Sequence, residues 1–399
     1  MPSMDESDEP SEPPRFQRVE WAEIAPRRRR ATPERIAFAL GVAVVLGLFL
    51  YDAYVAHVYL VGSWEATPVD WAVMLAAVCL AAYGVVPAIQ RPRSARRVIR
   101  AVRTRTALLG SAAALGLVAV LGLVAAPVLG EPSLAFNYAY QPPVGFTARI
   151  YNTGCLGEVL RGPGITRYCR GTLYYPLGTN YRGQPLDYLL ISGARTAVYV
   201  VAFTAAFIVP LATAVGVAAG LRGGRLDDLL MAYVDVQVSV PALFLYFVGY
   251  MYFGPSLLLL LLTFGLLSWG GIARLVRSEV LQRREDGYVR LAHSLGASDR
   301  YLATRHVLPN VTNTLVPAVF HLFAVLVVAE AGVAFLGFSD IERHSWGSTI
   351  AEGLSTDPMY PHEVWWVSTV PALALAATVV AFKLAGDGLR DAFDPRTEN

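Results

Sequence analysis

The sequence predicts an all-α integral membrane protein with about eight transmembrane helices, and three observations lead to that fold class. Of its 399 residues, 55% are hydrophobic and only 16% charged, with a mean hydropathy of +0.44; a soluble domain carries about 25% charged residues. Apolar blocks of bilayer length, roughly 20 residues, alternate with short polar connections. Positive charge is concentrated in those connections, nearly all of it arginine, since Lys383 is the only lysine. Together these exclude an ordinary soluble enzyme, a disordered chain and a nucleic-acid-binding module.

Residues 1–33 pass from an acidic stretch (Asp5, Glu6, Asp8, Glu9) through a Pro-rich one to Arg27, Arg28, Arg29 and Arg30. No short apolar core with a small-residue cleavage site precedes the first span, so a solvated tail is expected rather than a signal peptide. Spans are expected over 36–55, 71–89, 107–129, 197–221, 229–253, 256–273, 315–338 and 364–384. Asp52 and His57 mark the end of the first. The expected organisation is a tail (1–33), a two-span module (34–106), a span (107–129), an outer segment (130–193), a helical core (194–388) with a loop at 275–312, and a second tail (389–399).

Short cytoplasmic loops retain Lys and Arg. Arg27 to Arg30 precede the first span, seven arginines from Arg91 to Arg105 fill the second connection, Arg222 and Arg225 the fourth, and the stretch from Arg274 to Arg305 is the most basic. With eight spans all of these fall on one face, placing both termini in the cytoplasm of a multi-pass cell-membrane protein. A nucleic-acid reading of the same clusters is disfavoured because each abuts an apolar span. Two segments on the opposite side, 130–193 and 339–363, are rich in Gly, Pro and Tyr, and Trp365 and Trp366 open the last span at the interface. Cys155 and Cys169 lie in the first of them, on the oxidising side. A disulfide there would close a loop of about 15 residues, worth ~3 kcal/mol in the entropic model; two unpaired thiols are the alternative.

The connection at 285–310 carries the densest local signals. Residues up to Leu295 are helix-compatible, Gly296 suits a position needing positive φ, Ser298 or Asp299 can cap a second helix, and Pro309 is expected to stop it. Two short helices around a glycine bend, basic and partly apolar, are expected to form a docking surface for a soluble partner, because a simple connector needs far fewer residues.

Ala292, Gly296 and the ending His306-Val307-Leu308-Pro309-Asn310 resemble the EAA loop, the coupling element of ABC importer permeases. Tyr175-Pro176-Leu177-Gly178-Thr179-Asn180, Gly183 and Gly193-Ala194-Arg195 resemble an outer segment of the C-type permeases of dipeptide, oligopeptide and nickel importers. Val234-Asp235 with Ser239 and Pro241, Trp269 with Arg274, Arg277 and Glu279, Glu330-Ala331 with Leu336-Gly337, Ser345-Trp346-Gly347 with Glu352-Gly353, and Gly386-Asp387-Gly388-Leu389-Arg390-Asp391 with Asp394-Pro395-Arg396 follow in that family's order. The resemblance covers roughly 172–396. It departs at Arg290-Leu291, where the family has Glu-Ala, at Gly183-Gln184-Pro185, where it has Gly-Arg-Asp, and at Tyr188-Leu189, where it has Ser-Arg.

The resemblance implies a type I ABC importer permease bundle in which residues 34–106 are an extra N-terminal module. It further implies a second, B-type permease, two cytoplasmic ATPase subunits and an extracytoplasmic solute-binding protein as partners, besides membrane lipid and with no nucleic acid. Peptide is the expected cargo, nickel or oligosaccharide the alternatives. The coupling residues are then Tyr288, Arg290, Ala292, Leu295, Gly296, Ala297, His306, Leu308 and Pro309. The sequence holds no Gly-x-x-x-x-Gly-Lys-Ser/Thr phosphate loop, since Lys383 sits in Ala381-Phe382-Lys383-Leu384. No catalytic site and no cofactor are therefore expected on this chain, with ATP and Mg on the ATPase partners. His57, His293, His306, His321, His344 and His362 have no metal-ligand spacing with the cysteines, so no metal is expected. Ionisable groups within spans default to functional candidates. Asp235, His321, Glu330 and Lys383 qualify, and Asp235 and Glu330 are the pathway candidates. An ion-coupled secondary transporter using either carboxylate is the rival function; an inverted repeat would favour it, and the halves show none.

Overall fold

The computed structural model describes residues 32–56, 60, 65–90, 92–130, 133–150, 153–162, 164, 166–338, 344–355 and 362–393. Nearly all of the expected N-terminal tail, Arg91, His57 and the Asp394-Pro395-Arg396 motif lie outside them.

Among the described residues, seven helices are long and apolar enough to cross a membrane: α1 (Pro33–Val55), α2 (Pro68–Gln90), α4 (Thr106–Ala125), α5 (Leu186–Arg222), α8 (Leu257–Arg284), α10 (Asp299–Phe335) and α12 (Trp366–Phe393). A short helix, α3 (Pro92–Thr104), joins α2 to α4. Helices α6 (Gly224–Ser239) and α7 (Ala242–Phe253) meet at 71° and are long and apolar enough only as a pair, which makes them a broken span or a re-entrant hairpin. The segment 229–253, expected as one straight span, is thus sharply bent. Val240 is extended (φ −92°, ψ 119°) ahead of Pro241, as the steric clash of a proline ring with its preceding residue dictates.

Several helices overrun the expected spans. α5 begins eleven residues before 197, and α8 and α10 reach to Arg284 and back to Asp299, well past a bilayer's thickness. The 275–312 loop is therefore mostly helix, with only 285–298 outside the two long helices. Pro309 does not stop a helix. It follows a single wide π turn at Ala303–Val307, and α10 continues through it to Phe335. The expanded turn reroutes the backbone hydrogen bonds that a proline otherwise breaks, and Asn310 Nδ2 donates to the carbonyl of His306 at 2.7 Å.

The core is built by α5, α8 and α10, with Val69 and Val73 of α2 packed into it. Lipid gives helices no hydrophobic drive to associate, so small residues that permit close approach set the contact. A Cβ on Gly216 of α5 would lie 2.5 Å from the Ala273 carbonyl oxygen of α8, and one on Gly220 2.7 Å from Val280 Cβ. Ion pairs tie the helix ends at one face: Arg222 with Asp299 at 3.2 Å, and Arg105 with Asp391 at 3.1 Å.

At the opposite face, between α4 and α5, lies a small antiparallel sheet of order β1-β3-β2: β1 (Thr147–Ile150), β2 (Val159–Arg161) and β3 (Arg167–Arg170). Ala148 pairs with Cys169 in the register. Cys169 is joined to Cys155 by a disulfide.

Candidate functional site

Two sets of side chains sit at the two ends of α10. At its N-terminal end, α9 (Gly287–Ser294) precedes a glycine bend. Gly296 has φ +85°, and Ala297 N–H donates to the Ala292 carbonyl at 3.1 Å, closing the end of α9 as a Schellman turn. Ser298 then caps α10, its Oγ accepting from Tyr301 N–H at 3.4 Å. Val289 and Leu302 are buried beneath the bend. His306 is flanked by the rings of Tyr301 and Tyr288, at 5.5 and 5.8 Å. Asn310 Nδ2 donates to Tyr288 Oη at 3.2 Å, so α9 is clasped against the start of α10.

The residues expected to dock a partner separate into two groups. Tyr288, His306 and Ala292 hold the element's shape, and Ala297 and Leu308 are half-buried. Leu295 is 79% exposed and its neighbour Leu291 61%, an apolar pair standing outside every span. Arg290 and Pro309 are also exposed, and Arg290 lies 4.0 Å from Glu285.

Toward the opposite end of α10, Glu330 is 6% exposed, and one carboxylate oxygen accepts from Ser345 Oγ at 3.0 Å. Ser345 in turn caps α11 (Trp346–Leu354), accepting from Gly347 N–H at 3.2 Å. Trp346 Nε1 donates to the Leu190 carbonyl of α5 at 3.0 Å. Gly347 lies so close to α10 that a Cβ would be 1.9 Å from the Ala331 carbonyl oxygen. Glu330-Ala331 and Ser345-Trp346-Gly347 are thus one contact.

A polar cap adjoins it. Asn180 Nδ2 donates to Glu352 Oε2 and to Gln184 Oε1, each at 3.0 Å, while its Oδ1 accepts from the N–H groups of Arg182 and Gln184. With its oxygen so engaged, Gln184 presents Nε2 to His344 Nε2 at 3.4 Å. Trp366 Nε1 donates to the Thr179 carbonyl at 3.2 Å. Burial pushes the Glu352 carboxyl up, opposed by the Asn180 hydrogen bond and the Arg182 charge. Burial, aided by Arg182, holds the His344 imidazole below its usual 6.5.

The other intramembrane candidates do not join these clusters. Asp235 is 66% exposed by side chain and pairs with Arg274 across α6 and α8. A second rung, Asp227 with Arg277 (Nη2 to Oδ2, 2.6 Å), lies on the same pair of helices. Sequence reasoning missed Asp227; the parallel spacing of Arg274 and Arg277 was the available signal. His321 and Lys383 are exposed.

Residues 212–399 match the model of the binding-protein-dependent transport system inner membrane component. A peptide transport system permease protein of Brucella suis is 34% identical over 225 residues, 56% of this chain and 74% of that protein. The chain belongs to this family of inner-membrane transport components. The permease is also 31% identical over 227 residues to the oligopeptide transport system permease protein OppC of Haemophilus influenzae, covering 56% and 71% of the two chains. To the dipeptide transport system permease protein DppC of Lactococcus lactis it is 28% identical over 223 residues, or 56% and 64%. The family model begins at residue 212, within α5, and covers α10, the 285–310 element, Glu330, Ser345 and Glu352, while α1 to α4 and the cap residues Thr179, Asn180 and Gln184 precede it.

Proposed function

We propose that this permease is a membrane subunit of an ATP-driven importer of peptides, in which residues 285–310 dock a cytoplasmic ATPase. The observation that carries this is the exposed Leu291 and Leu295 pair, held outside every span by a glycine bend and joined directly to α10. Apolar residues displayed on a braced element suit a protein partner. In this arrangement the 285–310 face and both termini are cytoplasmic, the sheet and cap are extracytoplasmic, and a solute-binding protein delivers cargo to the cap side. A second permease completes the pathway, and two ATPase subunits supply ATP and Mg. Peptide cargo is favoured over nickel or oligosaccharide by the names of the relatives. An ion-coupled mechanism is disfavoured, since Asp235 is ion-paired and Glu330 serves as the acceptor for a helix cap.

The test is reconstitution with and without the cognate ATPase pair, second permease and binding protein. ATP-dependent uptake of peptide only by the full set supports the assignment. Uptake by this chain alone under a proton gradient would overturn it. Sidedness is read separately, with single cysteines introduced at Ser298 and Ser348 in a Cys79→Ser background and an impermeant thiol reagent applied to intact cells. Labelling at Ser348 and not at Ser298 is expected.

A further inference from the structure

Helix α3 plays no part in either end cluster, yet it is the most one-sided charged element of the chain. Residues 91–105 contain seven arginines and neither Asp nor Glu. The helix starts two residues after Gln90, the end of the α2 crossing, and stops two residues before Thr106, the start of α4. Both of its ends are therefore pinned to the same membrane face. A 13-residue helix about 20 Å long, tethered this tightly at each end, lies along that face and cannot project away from it.

Its faces divide accordingly. Val98, Ala101 and Val102 are half-buried on the side toward the bundle. Arg96, Arg100 and Arg103, spaced four and three residues apart, form a single exposed stripe, with the half-exposed Ile99 at its edge. Arg105, just beyond the helix, is paired with Asp391 at 3.1 Å. Among the described residues, Arg96, Arg100 and Arg103 have no carboxylate within ion-pair distance. Three guanidinium groups thus stand at headgroup depth, with the donor geometry that matches phosphate oxygens.

We propose that α3 is a binding stripe for anionic phospholipid headgroups, fixing the N-terminal module to lipid of one leaflet. Each arginine at the bilayer surface is worth roughly fivefold in affinity for anionic lipid, and an amphipathic helix in the interface adds the burial of its apolar edge. Arginines that serve only to orient the spans would give no preference among lipids in the folded protein.

The experiment uses the full chain purified in neutral detergent, with thermal stability read during titration by phosphatidylglycerol or phosphatidylcholine at low and high salt. Stabilisation by phosphatidylglycerol alone, weakened by salt, is expected. The Arg96→Gln, Arg100→Gln, Arg103→Gln variant should require about a hundredfold more phosphatidylglycerol, Arg100→Gln alone about fivefold more, and the corresponding triple lysine variant little more than wild type. The single and lysine variants keep the test decisive if the triple glutamine variant inserts poorly. An unchanged phosphatidylglycerol response in Arg100→Gln and the triple glutamine variant would overturn the proposal, as would equal stabilisation by phosphatidylcholine. Equal stabilisation by glycerol phosphate would assign the stripe to a small anion instead. Loss of ATPase assembly in the glutamine variants without any lipid response would assign it to protein docking.

Discussion

Asp70, at the start of α2, accepts a hydrogen bond from Tyr199 Oη at 2.7 Å and an ion pair from Arg195 Nη2 at 3.2 Å, both on α5. Its other oxygen accepts from the backbone N–H and the hydroxyl of Thr67, at 3.0 and 2.6 Å, so one carboxylate both starts α2 and binds it to the core. The Arg195 guanidinium also donates to Tyr199 Oη at 3.0 Å and lies over that ring at 5.2 Å from its centre. The N-terminal module is therefore fastened to α5 through a buried polar cluster, and Arg195 belongs to the Gly193-Ala194-Arg195 motif.

Asp70 is only 2% exposed, and removing one member of a buried pair strands the other. Asp70→Leu is expected to destabilise the purified protein by roughly 3 kcal/mol, and Asp70→Leu with Arg195→Leu by less than the sum of the two single changes. Thermal unfolding in detergent measures both. Strict additivity would mean that the two groups are not coupled.

Glu330→Ala leaves the Ser345 hydroxyl without its acceptor in a buried site and is expected to loosen α11. The loss should be about 1–3 kcal/mol, with faster proteolysis on either side of α11. Ser345→Ala should do the same, and the double variant little more than either. Transport by the assembled system should fall in step with the loosening.

Gly296→Val forces a β-branched residue to φ +85°, at roughly 1–2 kcal/mol of backbone strain. It should lower ATPase stimulation and uptake while insertion stays normal. Leu295→Asp should do the same through docking alone, with unchanged thermal stability and an affinity loss of about 2 kcal/mol if the leucine is a contact hot spot. A pull-down with the cognate ATPase separates the two mechanisms.

His344 supplies a pH dependence with a definite sign. Its imidazole is held below the usual 6.5 in the fold by burial, aided by the charge of Arg182. The unfolded chain thus binds the proton first as pH falls. The contribution to stability is complete above about 6.5 and is lost as pH falls from there through the lower folded value. Glu352 acts oppositely: its carboxyl is raised above 4.5, so its contribution is complete below that value and is lost as pH rises through the folded one. His344→Asn should flatten the fall in melting temperature between about pH 7 and 5. An unaltered slope would place the acid sensitivity elsewhere.

The crossings, the Gly296 bend and the Ser298 cap were legible in the sequence because each rests on local chemistry: a run of apolar residues, one positive φ, one hydroxyl three residues ahead of an N–H. The break in α6 and α7 was hidden, although Pro241 was in view, because a hydropathy window weighs composition and is blind to direction. Pro309 misled in the opposite sense. A proline signals a helix end, but a π turn immediately before it absorbs the disruption, and no residue in Ala303–Val307 announces that turn. Pairings across long separations were beyond local reasoning altogether. Asp70 meets Arg195 125 residues away, and Asn180 meets Glu352 172 residues away. The motif order placed Ser345 and Glu330 in succession, but only the fold makes them partners.

Helix α10 runs 37 residues from Asp299 to Phe335, about 55 Å end to end, and Pro317 within it interrupts hydrogen bonding without ending it. The Tyr301 and His306 rings ride on one end of this beam and Glu330 on the other. A see-saw of that length, pivoting near its middle by about 5°, swings each tip about 2 Å in opposite senses. If α10 moved as one body, no separate relay would be needed to carry a displacement from one side of the bilayer to the other. Were the two ends coupled through such a motion, linkage would make the coupling reciprocal: a ligand that steadies α11 and the cap would resist a shift at the Tyr288 clasp by the same free energy that a grip on the clasp exerts upon the cap.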